Sequence, residues 1–395
     1  MKYNDFKDIK LSNLGFGCMR FPTCDGKIDE AQVADMIEYA IDKGINYFDT
    51  AYPYMDGMSE IILCRELKKY PKEKWYLADK YPGHQIADTY YPEEIFEEQL
   101  KKCNVDYFDF YLLHNIYENS FKVYTDEKWH IPEYFIKQKE SGRIKYFGCS
   151  FHGTPDLLEK FLDLYGSEMD FVQIQMNYLD WTLQDAKTKY QILTDRNIPC
   201  WVMEPVRGGK LSSISEKAMQ QLQKTEPDWS CVEWAMRFLI NLSNVKVVLS
   251  GMSSLEQMVE NINTFSTEKE FATKHKKALL DIAEKMKDSI PCTKCGYCMS
   301  SCPQKLRIPQ LIAKYNDIRF DPSFLAAMEI EGFDDNEKPS ACIKCGNCTR
   351  MCPQNIDIPK ALSELNEKLK TIPSWAKMCK ERAEIAKKIK FQSAK

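Results

Sequence analysis

The sequence predicts an α/β chain in two parts, a (β/α)8 barrel followed by a smaller, mostly α-helical domain. Three observations lead there. Over residues 1–285, eight apolar runs alternate with amphipathic helical patterns. From the second run onward, each run finishes in or carries a polar residue near its C-terminal end. From about residue 286 the character changes to two cysteine–proline runs and helical stretches rich in lysine and glutamate.

The eight runs, in order, span residues 14–20, 45–51, 75–81, 109–115, 144–150, 171–176, 199–205 and 245–251. They are β-branched and aromatic, as half-buried or buried strands are. Between the first two, residues 28–44 (IDEAQVADMIEYAIDKG) place apolar side chains at helical spacing and end at Lys43–Gly44. Pro92–Cys103, Pro155–Leu164 and Ser254–Thr264 read as helices in the same way. Strand–helix units repeated eight times close most naturally into a barrel of about 250 residues. An open doubly wound sheet competes with it, but no G-x-G-x-x-G opens a helix after the first run. A domain boundary falls near residues 285–290, the second domain spans 286–365, and residues 366–395 read as a polar helical tail.

The chain has 395 residues, with 44% hydrophobic and 12% aromatic residues, enough for a sizeable core. A net charge of −4 argues against a nucleic-acid partner, and the lysine-rich stretch after Glu364 is the obvious basic segment. No segment reaches the 18 or so uninterrupted apolar residues of a membrane span. The start, MKYNDFKDIK, lacks the apolar core of an export signal, so a cytoplasmic protein is expected.

Of 16 cysteines, eight are scattered singly and eight fall in two runs. The first is Cys292, Cys295, Cys298 and Cys302 before Pro303, and the second is Cys342, Cys345, Cys348 and Cys352 before Pro353. Both follow C-x2-C-x2-C-x3-C-P. In this spacing three thiolates wrap one 4Fe–4S cube, and the fourth reaches a neighbouring cube. Cys302 is therefore expected to join Cys342, Cys345 and Cys348, and Cys352 to join Cys292, Cys295 and Cys298. Zinc, which favours paired C-x2-C units, explains neither the third cysteine nor the repeated proline. The runs resemble bacterial-type dicluster ferredoxins. The 39 residues between Cys302 and Cys342 read as helical, closer to the α-helical ferredoxin domains of redox enzymes.

In a (β/α)8 barrel, chemistry sits at the C-terminal strand ends. There the sequence places Asp49, Lys80, His114, Ser150, Gln173 and Gln175, Glu204, and Ser250. Taken singly, each has a structural reading as a helix cap, a solvated cation or a packed histidine. The order Asp49, Tyr54, Lys80, His114 on three successive strand ends shifts the weight toward catalysis.

That order, with GFGCMRFP, NYFDTAYPYMDGMSE, LADKYP, YLLHN, GRIKYFGCS, VQIQMNY, MEPVRGGKL and SGMSSLEQMVENI, resembles the aldo-keto reductase family over residues 14–262. The resemblance implies a nicotinamide-dependent oxidoreductase that reduces a carbonyl or oxidises an alcohol. It makes Tyr54 the proton donor, with Lys80 favouring its phenolate, Asp49 stabilising the ammonium and His114 orienting the carbonyl oxygen. It puts Ser150 and Gln173 at the nicotinamide amide, although Phe151 stands where the family has asparagine. Ser254, Glu260 and Asn261 match its cofactor helix, while Gly251 and Gln257 replace its usual cations. NADP and NAD both stay open, with Arg207 available as an alternative phosphate contact.

The expected cofactors are thus two 4Fe–4S clusters and NADP or NAD, with a small carbonyl or alcohol substrate and an electron-transfer protein as partners. Hydride chemistry moves electrons in pairs and each cluster moves one, so a flavin at the mouth also stays open. Two other readings remain: an enzyme whose clusters only stiffen or dock, and an electron-carrier subunit with a non-catalytic barrel.

Overall fold

The computed structural model describes residues 1–85, 87–286, 290–320, 324–372 and 374. It divides into two compact units, Met1–Lys285 and Met286–Lys395.

In the first unit eight strands close into a barrel: β1 (Leu14–Gly17), β2 (Tyr47–Asp49), β3 (Tyr76–Tyr81), β4 (Phe108–Ile116), β5 (Ile144–Phe151), β6 (Phe171–Gln175), β7 (Cys200–Met203) and β8 (Val245–Ser250). Every neighbouring pair is parallel and the order is sequential, β8 pairing back onto β1. Each expected run holds one strand. Most of the polar rim residues, among them Asp49, Lys80, Ser150, Gln173, Gln175 and Ser250, stay in the strand ladders.

The helices form where their end signals stand. Asp29 accepts from the Gln32 amide to cap helix Glu30–Asp42. Proline opens Pro92–Cys103 and Pro155–Tyr165, where its missing N–H costs nothing. Ser254 caps Leu255–Ser266 and lies one residue outside it.

An N-terminal hairpin, Tyr3–Phe6 with Ile9–Ser12, was not read from the sequence. It drives Phe6 into the barrel against Phe110, Tyr146, Phe171 and Trp201, with ring centroids 4.9–6.4 Å apart. Leu11 and the first residue of β2, Tyr47, belong to the same buried cluster. The partners sit toward the strands' N-terminal ends, so the hairpin closes that end and leaves the other for chemistry. Among the described residues, no helix is long and apolar enough to cross a membrane.

The second unit is helical. Two short helices, Tyr297–Ser300 and Asn347–Arg350, each begin after a glycine with positive φ, Gly296 and Gly346. Each cysteine run then leads to an Ile–Pro helix start, giving Ile308–Phe320 and Ile358–Lys370. Phe324–Glu331 fills the insert between the runs. Leu306, Ile308, Leu311, Ile312, Ile356, Ile358, Leu362 and Leu365 form the core, together with Cys298, Cys348 and Cys352. The helix Ile358–Lys370 continues across residue 366, where a separate tail was expected, because Leu369 extends its apolar stripe. The rest of that expected tail lies outside the described residues, apart from Thr371, Ile372 and Ser374.

Candidate active site and cysteine centres

Strands β2, β3 and β4 bring three of the expected residues to one rim. Asp49 ends β2, Lys80 lies near the end of β3 and His114 near the end of β4, and all three are buried. Tyr54 is half-buried on a one-turn 3-10 helix, Tyr54–Gly57, just past β2. Met55 and Asp56 in that turn both hold positive φ, at 53° and 55°. Such backbone is uncommon for residues with side chains and concentrates at functional sites.

The Lys80 ammonium donates to Asp49 Oδ1 at 2.5 Å and to the Thr50 carbonyl at 2.6 Å. It also lies 3.5 Å from the Tyr54 hydroxyl. The Tyr54 and His114 rings meet edge to face with centroids 5.6 Å apart. The four side chains therefore form one contiguous group.

The electrostatics correct one expectation. Lys80 was expected to draw Tyr54 toward phenolate. Instead burial, followed by the negative charges of Asp49 and Glu204, pushes the phenol well above its usual value, and Arg20 opposes them only in part. In this environment Tyr54 stays a protonated donor, with the Lys80 ammonium lying between it and Asp49. Burial also holds His114 well below the usual histidine range, helped by His84 and Lys80. A neutral imidazole results, and its Nδ1 has no hydrogen-bond partner.

Two neighbours, His84 and Arg20, were missed in the sequence, and Glu204 was placed at the rim without a partner. His84, four residues beyond Lys80, packs on His114 with centroids 4.5 Å apart, and burial lowers its pKa to about 3. Arg20, just past β1, faces Glu204, just past β7, at 3.6 Å. Glu204 itself holds φ 59°. The signal was present for His84, a histidine in the loop after a catalytic strand. A lone arginine after β1 carries no comparable pattern.

Ser150 and Gln173 are register partners on β5 and β6, both buried. Ser150 Oγ accepts from the Asn115 amide at 2.7 Å. Gln173 Oε1 is buried without a partner, an unmet acceptor that a carboxamide N–H would satisfy. Asn261 donates to Ser250 Oγ at 2.9 Å, and its Oδ1 is likewise unmet. Glu260 accepts from Ser230 Oγ at 2.5 Å, and Ser254 caps its helix. Arg207 is fully buried with Nε 3.2 Å from Asp180 Oδ1, and its Nη1 and Nη2 have no hydrogen-bond partner among the described residues, so this ion pair leaves most of its donors unmet. Asp180 is further held by Gln175 and Asn177, at 2.8 and 2.7 Å.

In the second unit the eight cysteines surround two cavities. Cys302, Cys342, Cys345 and Cys348 line one, with Leu306, Ile308 and Leu362. Cys292, Cys295, Cys298 and Cys352 line the other, with Ile312, Ile356 and Ile358. The fourth cysteine of each run thus faces the other run's cavity. Among the described residues no three His, Cys, Asp or Glu converge closely enough for a single metal ion. Four sulfurs around an apolar cavity suit a cube rather than a lone zinc. A Cβ on Gly296 or Gly346 would meet no atom within 4 Å, but their φ values of +84° and +77° favour glycine.

Comparison with known proteins agrees. Residues 13–279 match the family model described as Aldo/keto reductase family, and residues 291–356 match the 4Fe-4S dicluster domain. The NADH-specific methylglyoxal reductase of Escherichia coli is 25% identical over 312 residues, spanning 65% of this chain and 90% of that protein. A probable aldo-keto reductase of Glycine max is 29% identical over 186 residues, 44% of this chain and half of that protein. L-galactose dehydrogenase of Arabidopsis thaliana is 24% identical over 284 residues, 64% of this chain and 84% of that protein. In structure, an aldo-keto reductase of Bacillus halodurans in its holo form superposes with a TM-score of 0.59. It is 23% identical, spanning 71% of this chain and 96% of that one.

Proposed function

This chain belongs to the aldo/keto reductase family, and we propose that its barrel reduces a small carbonyl compound while its eight clustered cysteines hold two 4Fe–4S clusters serving an electron-transfer partner. Membership makes it an oxidoreductase of the NAD(P)-dependent type. When bound, reduced nicotinamide supplies the hydride and each cluster stores one electron.

The chain's own residues do the rest. Tyr54 gives its phenolic proton to the carbonyl oxygen as negative charge builds there. Neutral His114 donates an N–H to the same oxygen and orients it. The Asp49–Lys80 pair, with the Thr50 carbonyl, anchors the ammonium beside the Tyr54 hydroxyl. Ser150 and Gln173 receive the carboxamide of the cofactor, the unmet Gln173 Oε1 supporting that role. Ser254, Glu260 and Asn261 shape the helix at the cofactor's other end. NAD is favoured over NADP, because Gly251 and Gln257 offer no cation where the family commonly clamps a 2′-phosphate. The names of two relatives, a methylglyoxal reductase and an L-galactose dehydrogenase, point to small oxygenated substrates.

For the cysteines, the two cavities support ligation by Cys292, Cys295, Cys298 and Cys352 in one and by Cys302, Cys342, Cys345 and Cys348 in the other. Joining single-electron transfer to hydride transfer takes a group such as a flavin, and measuring bound flavin in purified protein decides whether the two activities are linked. A second reading, that the clusters only hold the fold, is favoured by the burial of Cys298, Cys348 and Cys352 in the core. Turnover driven by dithionite without nicotinamide separates the two readings.

The observation that carries the catalytic reading is the contiguous group of Asp49, Lys80, Tyr54 and His114 at one rim. Tyr54→Phe tests it. Removing the proton donor is expected to lower kcat for carbonyl reduction by about 100-fold or more, with NADH affinity retained by fluorescence titration. Unchanged kcat would move the barrel to a binding role.

A further inference from the structure

The two cysteine centres differ in how they meet solvent. Around the cavity of Cys292, Cys295, Cys298 and Cys352, two of the four cysteines are buried, as are the lining residues Thr293, Pro309, Ile312, Gln354, Ile356 and Ile358. Around the other cavity, Ile343, Lys344, Cys345, Pro303 and Gln304 are all exposed. Cys345 is the exposed cysteine among the eight, and Ile343 beside it is 59% exposed. One exposed isoleucine does not make a contact surface by itself, so the charge around this centre decides.

Charge points to the occupant. Residues 290–310 carry Lys294, Lys305 and Arg307 and no carboxylate; residues 338–356 carry Lys338, Lys344 and Arg350 and again none. The whole chain is net negative, at −4. The cysteine loops are therefore cationic in sequence, with two of their six cations, Arg307 and Lys338, matched by Glu337 and Asp335. Among the described residues, Lys305 and Lys344 are in no ion pair, and both are exposed. An apolar centre with cations near it suits brief, salt-sensitive encounters with an acidic partner.

We propose that Ile343, Lys344 and Cys345, with Pro303, Gln304 and Lys305, form the docking face for an acidic one-electron carrier protein, and that Cys345 is the thiolate nearest to it. This rests on the proposed cluster ligation. In each encounter the carrier loses one electron and this protein gains one, so two encounters load the two clusters with one electron each. The cations have a rival role, offsetting the negative charge of the clusters themselves, and the test separates it.

The experiment uses anaerobically purified holoprotein with its iron and inorganic sulfide assayed first, and a flavodoxin as the acidic probe. The dissociation constant is measured by calorimetry. It is expected to weaken by about tenfold or more as salt rises from about 20 mM to about 300 mM. The Lys305→Glu/Lys344→Glu variant is expected to weaken it by about tenfold at low salt, and Ile343→Ser to weaken it further. Lys160→Glu, an exposed charge reversal on the barrel helix Pro155–Tyr165, should leave it unchanged. If the charge reversals shift only the cluster midpoint potentials, or if Lys160→Glu weakens binding as much as the pair does, the docking face is wrong. Missing sulfide would overturn the cluster ligation and the docking face together, whereas full sulfide with an unmoved dissociation constant overturns docking alone.

Discussion

Replacing Asp49 with asparagine removes one half of a buried ion pair. The Lys80 ammonium has no exposed surface and the Asp49 side chain is 4% exposed, with 2.5 Å between charges. At an effective dielectric near 20, that separation gives about 7 kcal/mol of gross attraction. Much of it is spent on the desolvation of both ions, and removing a single partner from a buried pair costs about 3–5 kcal/mol. Asp49→Asn should therefore lower the barrel's stability by that amount, about 1–2 M in urea midpoint for a unit this size. Tryptophan fluorescence reads it, because six of the seven tryptophans precede residue 285. Asp49→Asn/Lys80→Met removes the stranded cation as well, and should recover more than half of the loss while restoring no turnover. A cost below about 1 kcal/mol, or a double variant no more stable than the single one, would refute the buried-pair argument.

Two further outcomes follow from the geometry. Because the donor form of Tyr54 is the protonated one and its pKa is held above the usual value, carbonyl reduction should persist as pH rises toward about 10. With His114 already neutral, no acid limb is expected near its usual value of about 6.5. Glu204→Gln removes an anion that holds the phenol up, so the alkaline limb of kcat/KM should move to lower pH; a limb unmoved by this change contradicts the assignment. The crossed ligation is checked by spectroscopy of serine variants. Cys352→Ser and Cys292→Ser should leave the same surviving cluster signal, and Cys302→Ser and Cys345→Ser the other. If Cys352→Ser instead pairs with Cys345→Ser, each run closes its own cube.

The barrel could be read from the sequence because its strands are apolar runs that break at polar rim residues, and because capping residues such as Asp29 and Ser254 mark helix starts locally. The hairpin Tyr3–Phe6/Ile9–Ser12 escaped because its strands are only four residues long and half polar, and Phe6 and Leu11 reveal what they plug. At the site, residue order was enough to find Asp49, Tyr54, Lys80 and His114, since each sits at a strand end or just beyond it. The Asp49–Lys80 pairing was expected as well, but residue order could not show that burial and the charges of Asp49 and Glu204 raise the Tyr54 phenol, because that depends on distances between strands. The burial of Arg207 was out of reach for the same kind of reason, since only the fold brings Asp180, 27 positions earlier in the chain, beside it.

Isotope transfer tests the central claim most directly. Anaerobically purified protein is given NADH deuterated at nicotinamide C4 and a small aldehyde such as methylglyoxal, and the alcohol product is examined by mass spectrometry. The account predicts one deuterium on the former carbonyl carbon, delivered from one face of the ring, more slowly with labelled NADPH, and lost in the Tyr54→Phe protein. Alcohol formed at the same rate without label, or label transfer undiminished by Tyr54→Phe, would contradict it.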